Sequence, residues 1–126
     1  MVDAGNGTAG LVVPGLLAAI GCEVVPIYCE PDGRFPNHHP DPTVVGNIRD
    51  LIEETRRTKA DMGVGYDGDA DRIGVVDSTG SIIWGDQLMI VLSRAVLQDR
   101  PGAKIIGDVK CSQRMFDVIK RLGGVP

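Results

Sequence analysis

Strand-type and helix-type segments alternate along the whole of this 126-residue chain, which confines it to an α/β fold. Residues 2–4 read as a short strand, residues 10–20 as a mostly apolar helix closed by Gly21, and residues 23–28 as a second strand rich in β-branched side chains. The proline-rich stretch 30–42 is a loop. Thr43 is placed to cap a long helix carrying Val45, Ile48, Leu51 and Ile52 on one face. Residues 62–66 and 73–76 follow as strands, and a turn at Asp77-Ser78-Thr79-Gly80 returns the chain as a hairpin over 81–84. Beyond it the composition resets. Asp86 can cap a helix lined by Leu88, Leu92, Ala95 and Val96, residues 104–109 read as another strand, and Ser112 opens a final helix burying Met115, Phe116, Ile119 and Leu122. The expected organisation is one domain over residues 1–84 and part of a second over 85–126, with the boundary near Gly85.

One stretch points directly to chemistry. Asp67-Gly68-Asp69-Ala70-Asp71-Arg72 puts three carboxylates on alternate residues of a turn, at the end of the run 62–66, where α/β proteins place their sites. Three acids this close repel one another, so convergence is costly unless a cation compensates. Oxygen-only ligands favour a hard ion, Mg2+ or Ca2+, over Zn2+. A solvated acidic loop is the bland alternative, because Asp and Gly are common turn residues.

Composition removes other classes of function. The formal net charge is -4, from 13 basic and 17 acidic residues, and the longest basic run is the pair Arg56-Arg57, so neither nucleic acid nor an acidic membrane is an expected partner. No apolar stretch approaches the roughly 18 residues of a membrane span. A cytoplasmic protein is expected. Cys22, Cys29 and Cys111 form no Cys-x-x-Cys pair and read as small buried apolar side chains in a reducing compartment. The chain starts in what reads as half a strand and stops just after a helix end, so it is expected to be a fragment of a larger protein.

Other motifs compete for the same residues. An EF-hand needs Gly at the sixth position and Glu at the twelfth, where this chain has Arg72 and Ser78. A haloacid dehalogenase-like phosphatase begins with acid-x-acid after an apolar strand, which Asp67 and Asp69 fit and Asp71 does not. Gly5-Asn6-Gly7-Thr8-Ala9-Gly10 matches the pattern of a Rossmann-like dinucleotide-binding module, with Glu30 further on at a strand end. Glycines that let a helix pack tightly on a strand explain the same pattern. His38 and His39 read as loop structure rather than metal ligands, and neither Ser78 nor Ser112 has a neighbouring base.

Taken together, Val2-Asp3-Ala4-Gly5-Asn6-Gly7 with Ala9-Gly10, the segment Phe35-Pro36-Asn37-His38-His39-Pro40-Asp41-Pro42, the aspartate turn with Arg72, and Gly107-Asp108-Val109-Lys110-Cys111 closely resemble the α-D-phosphohexomutase superfamily, in its bacterial phosphomannomutase/phosphoglucomutase branch. The resemblance spans essentially the whole chain in order. It implies the second of four domains, a three-layer mixed sheet flanked by helices, followed by the start of the third. It further implies that Asp67, Asp69 and Asp71 hold Mg2+, that Arg72 contacts a phosphoserine supplied by another domain, and that Lys110 reaches a phosphosugar substrate, mannose or glucose phosphate. Arg72 balances the one excess negative charge of three carboxylates around a divalent ion. Taken alone, Arg72 also fits a surface salt bridge, and Lys110 a strand-end lysine. The family turn usually has Gly where this chain has Ala70, and a methyl group there is tolerable at a negative backbone angle. Without the missing domains, the isolated chain is expected to have no mutase activity.

Overall fold

The computed structural model describes residues 1–126. The chain divides into two compact units, Met1–Ile82 and Ile83–Pro126. The first is built on a mixed five-stranded sheet in the order β2-β1-β3-β4-β5, from β1 (Val2–Asp3), β2 (Pro26–Ile27), β3 (Met62–Tyr66), β4 (Ile73–Asp77) and β5 (Ile82–Ile83). The short strand β1 runs parallel to both β2 and β3, whereas β3 and β4 are antiparallel, with Val64 opposite Val75 and Tyr66 opposite Ile73. Flanked on both edges, β1 is buried throughout. That position puts Asp3 in the interior.

Helix α1 (Val13–Ala19) follows a 3-10 turn at Thr8–Leu11, and α2 (Arg49–Thr58) follows another at Val45–Ile48. Ile48 and Leu51 join Met1 and Val76 in the core, with Val25, Ile27, Ile52, Ala60 and Ile82 packed around them. Gly63 sets how closely α2 approaches β3. A Cβ there would lie 2.9 Å from Leu51 Cδ1 and 2.7 Å from Val76 Cγ2, and would also meet Thr55 Oγ1. By contrast α1 buries none of its residues, and Leu11, Val12, Leu16 and Ile20 are exposed.

Several local expectations are corrected. The second strand shrinks from 23–28 to two residues, and Tyr28 ends it by turning into a left-handed conformation at φ 51°. Thr43 caps nothing, since its hydroxyl and N–H both donate to Asp41 Oδ1, at 2.6 and 3.0 Å. The three cysteines are free, but Cys22 is exposed and the other two are half-buried, so they are not core residues.

In the second unit, α3 (Gly85–Asp99) packs on α4 (Gln113–Arg121) through Leu97, Met115 and Ile119. Trp84, not Asp86, stands at the start of α3, its N–H donating to Gln87 Oε1 at 3.0 Å. The Asp86 carboxylate instead accepts from the backbone of Gln87 and of Ser112, at 2.9 and 3.2 Å. Ser112 caps α4 as expected, accepting from Arg114 N–H. The strand expected at 104–109 is reduced to one bridge between Lys104 and Val125. Few backbone partners face this stretch, and Ile106 and Val109 are left 88% and 95% exposed, so no ladder can extend along it.

Candidate metal centre

The aspartate turn links the antiparallel strands β3 and β4. Asp67 directly follows β3, and Arg72 closes the turn on it three times. The Arg72 N–H donates to Asp67 Oδ1 at 2.9 Å, its Nε–H to Asp67 Oδ2 at 2.7 Å, and its carbonyl accepts from Asp67 N–H at 3.4 Å. Inside this clamp the Ala70 N–H donates to the Asp67 carbonyl at 3.2 Å. Reaching that carbonyl puts Ala70 at φ 66°, so the condition under which a methyl group is tolerable there, a negative angle, is not met. The left-handed turn is what swings Asp71 back beside Asp67.

One carboxylate oxygen from each of Asp67, Asp69 and Asp71 lies within 4.8 Å of the others. Asp67 is buried, and Asp69 and Asp71 are exposed. The negative charge of Asp69, and then a hydrogen bond shared with Asp67, push the Asp71 carboxyl above its usual range. Burial works in the same direction on Asp67, but the Arg72 N–H and guanidinium outweigh it and hold Asp67 below the ordinary value. Such a trio is electrostatically incomplete. Its all-oxygen donor set, two-thirds open to solvent, fits a hard divalent cation that keeps part of its water shell. Each carboxylate oxygen has a second lone pair, so Asp67 can face a cation while bonded to Arg72.

Two distant segments brace the turn. Thr8 donates both its N–H and its hydroxyl to the Gly68 carbonyl, at 3.0 and 3.2 Å. Gly7 permits this approach, since a Cβ there would lie 2.8 Å from Gly68 O. The glycine motif at residues 5–10 is therefore a packing device. The backbone N–H groups of Gly5, Asn6, Gly7, Thr8 and Gly10 all have protein acceptors, which leaves no cradle for a pyrophosphate. The phosphatase alternative leaves Asp71, which lies in the same carboxylate cluster, without a role.

The second brace is the proline-rich loop. Pro40 and Phe35 stand 3.5 and 3.6 Å from where a Gly68 Cβ would project. Asp41 Oδ1 lies 3.5 Å from Arg72 Nη1, opposite Asp67 and Asp71, whose oxygens are 2.7 and 3.7 Å from Arg72 Nε. Asp41 was not singled out from the sequence as part of the site. Its position in a His-His-Pro-Asp-Pro run was the only local signal, and the pairing with Arg72 is tertiary. His38 belongs to the loop's own framework, with Nε2 3.0 Å from Asp3 Oδ2.

Lys110 lies in the second unit, in a turn rather than at a strand end. Its N–H donates to Asp108 Oδ1 at 3.0 Å, and its ammonium sits 3.4 Å from Asp108 Oδ2 with the side chain 84% exposed.

Comparison with known proteins bears on the same segments. Residues 1–80 match the family model described as phosphoglucomutase/phosphomannomutase, alpha/beta/alpha domain II. A phosphomannomutase/phosphoglucomutase of Pseudomonas putida is 52% identical over 124 residues, covering 98% of this chain, and one of Pseudomonas aeruginosa is 50% identical over 126 residues, covering 100%. The chain spans 27% of the length of each. A solved phosphoglucomutase/phosphomannomutase family protein of Burkholderia thailandensis superposes with a TM-score of 0.95 at 45% identity, over 99% of this chain and 27% of that one.

Proposed function

The chain belongs to the phosphoglucomutase/phosphomannomutase family, and from that membership we propose that it is the metal-binding part of a hexose phosphomutase. The parent protein interconverts hexose 6-phosphate and hexose 1-phosphate, of mannose or glucose, through a phosphoserine and a bisphosphorylated sugar. The serine comes from outside this chain. No helix is long and apolar enough to cross a membrane.

The observation that carries this reading is the convergence of Asp67, Asp69 and Asp71, with Arg72 on the same turn, inside the segment matched by the family model. These carboxylates would hold Mg2+, which would supply positive charge to orient and neutralise phosphate oxygens. Arg72 acts as a catalytic residue by binding the phosphate of the phosphoserine. Its Nε–H stays on Asp67, which fixes the plane of the guanidinium. Lys110 reaches the phosphosugar substrate.

The test uses the full-length protein with hexose 1-phosphate as substrate. Asp69→Ala and Asp71→Ala are expected to lower kcat by about two orders of magnitude or more, as losses of electrostatic stabilisation do. Chelation should abolish turnover and added Mg2+ restore it. Full activity in a variant lacking all three aspartates would refute the proposal. The isolated chain should turn over nothing.

A further inference from the structure

The interior of the first unit holds a histidine–carboxylate contact that the metal turn does not use. Asp3 is 1% exposed, and both its carboxylate oxygens face His38 Nε2, at 3.0 and 3.1 Å. His38 Nδ1 lies 3.0 Å from the His39 carbonyl, which can only accept, so Nδ1 carries a hydrogen. A second proton must then lie between Nε2 and Asp3, because two lone pairs would repel. Tyr28 stacks edge-on against the His38 ring at 5.5 Å, and its hydroxyl donates to Asp50 at 2.7 Å.

This pair pins the loop that touches the metal turn. Asn37 Nδ2 donates to Asn6 Oδ1 at 2.7 Å beside it, and Gly5 packs on both His38 and Pro40. Asn6, Tyr28 and Phe35 hold left-handed conformations around the cluster, at φ 60°, 51° and 48°. Three non-glycine residues keep such angles only where surrounding contacts over-determine them. Pro40 and Asp41 then reach Gly68 and Arg72, as described above.

We propose that His38 and Asp3 are positioning residues, whose buried contact fixes the proline-rich loop so that Asp41 and Pro40 hold Arg72 and Gly68 in register with the metal ligands. Burial pushes the Asp3 carboxyl up, opposed by the Gly5 N–H and His38, so an unpaired Asp3 has little reason to stay ionised in the core. The consequence for catalysis rests on the mutase reading. The geometric claim does not.

Two readouts on the full-length protein separate them. Hydrogen exchange at Arg72 Nε–H, followed by 15N NMR, reports the bond to Asp67 directly. His38→Ala is expected to speed that exchange at least tenfold and to lower kcat at least tenfold, with KM within twofold of the wild type. His38→Gln, which keeps a donor towards Asp3, should recover most of both. If His38→Ala does not fold, Asp3→Asn takes its place, with exchange at least threefold faster expected. Wild-type exchange at Arg72 in whichever variant folds would overturn the positioning role. Absence of turnover in the wild-type protein would instead sink the mutase reading, while the exchange rate still decides the role of the pair.

Discussion

Ala70 provides a direct test of the metal turn, because its side chain is exposed and its cost is confined to the backbone. At φ 66° an L-residue with a Cβ sits in the left-handed region, at a cost of roughly 1–2 kcal/mol. Glycine meets no such penalty, but its unfolded chain loses about 0.5–1 kcal/mol more entropy than alanine. The difference leaves Ala70→Gly about 0.5–1 kcal/mol more stable than the wild type. With a urea m-value of about 1.5 kcal/mol/M, that is an increase of roughly 0.5 M in the unfolding midpoint. Ala70→Val should move the other way by at least as much, since a β-branched side chain is worse still at positive φ. The pair isolates the backbone, because neither change removes a hydrogen bond: the residue 70 N–H still reaches the Asp67 carbonyl. Equal midpoints for all three proteins would refute the left-handed turn. With it would go the explanation of how Asp71 is brought back to Asp67.

Gly63→Ala should destabilise the first unit by about 1–3 kcal/mol through overpacking against Leu51 and Val76, read as a fall in thermal midpoint. Adding Thr55→Ala should recover part of that loss, because Thr55 Oγ1 is among the atoms met and has no hydrogen-bond partner of its own. The Tyr28 hydroxyl is pushed up to about 12, first by its hydrogen bond to Asp50, so its contribution is complete below the unfolded tyrosine value of about 10 and disappears as pH rises through about 12. A phenolate absorbance titration should lose that late component in Tyr28→Phe, and urea midpoints should become flatter over the same window. The Asp71 carboxyl is raised, so without metal its favourable contribution is present below the unfolded value of about 3.9 and lost as pH rises through the folded one. At neutral pH Asp71→Asn should therefore raise the urea midpoint of the metal-free protein, have little effect near pH 3, and abolish the stabilisation that Mg2+ gives the wild type.

What the sequence revealed, and what it did not, follows from how local each feature is. The three alternate aspartates, the flanking strands β3 and β4, and the Ser112 cap are each specified within a few residues, and each forms. Thr43 and Asp86 carry the right chemistry for caps, but nearby acceptors and donors claim them first, Asp41 in one case and Ser112 in the other. The expected strand at 104–109 depends on neighbours along its whole length, which composition cannot supply. The glycine motif was legible as a pattern and ambiguous in purpose. Only the position of Gly68 against Gly7 and Thr8 shows that it serves the aspartate turn. The tolerance of alanine at position 70 was tied to a negative angle, a condition the turn does not meet: the clamp between Asp67 and Arg72 closes it with Ala70 at φ 66°.

The geometry of Arg72 narrows how a phosphate would be received there. A guanidinium has five N–H donors, and the strong bond here uses Nε alone. Of the remaining four, only the contact from Nη1 to Asp41 is engaged, at 3.5 Å and on a side chain 54% exposed, where an ion pair contributes little. A phosphate can thus take the outer fork of Arg72 bidentately by displacing Asp41, while the Asp67 bond stays intact. Charge favours the exchange. Asp67, Asp69 and Asp71 with Arg72 and a divalent ion sum to zero, so Asp41 adds one negative charge that an arriving phosphate would repel. On the proposed reading, Asp41 would be a placeholder that keeps the guanidinium aligned until a phosphate replaced it. The loop that carries it must be firm enough to hold Arg72 and loosely enough bonded to yield.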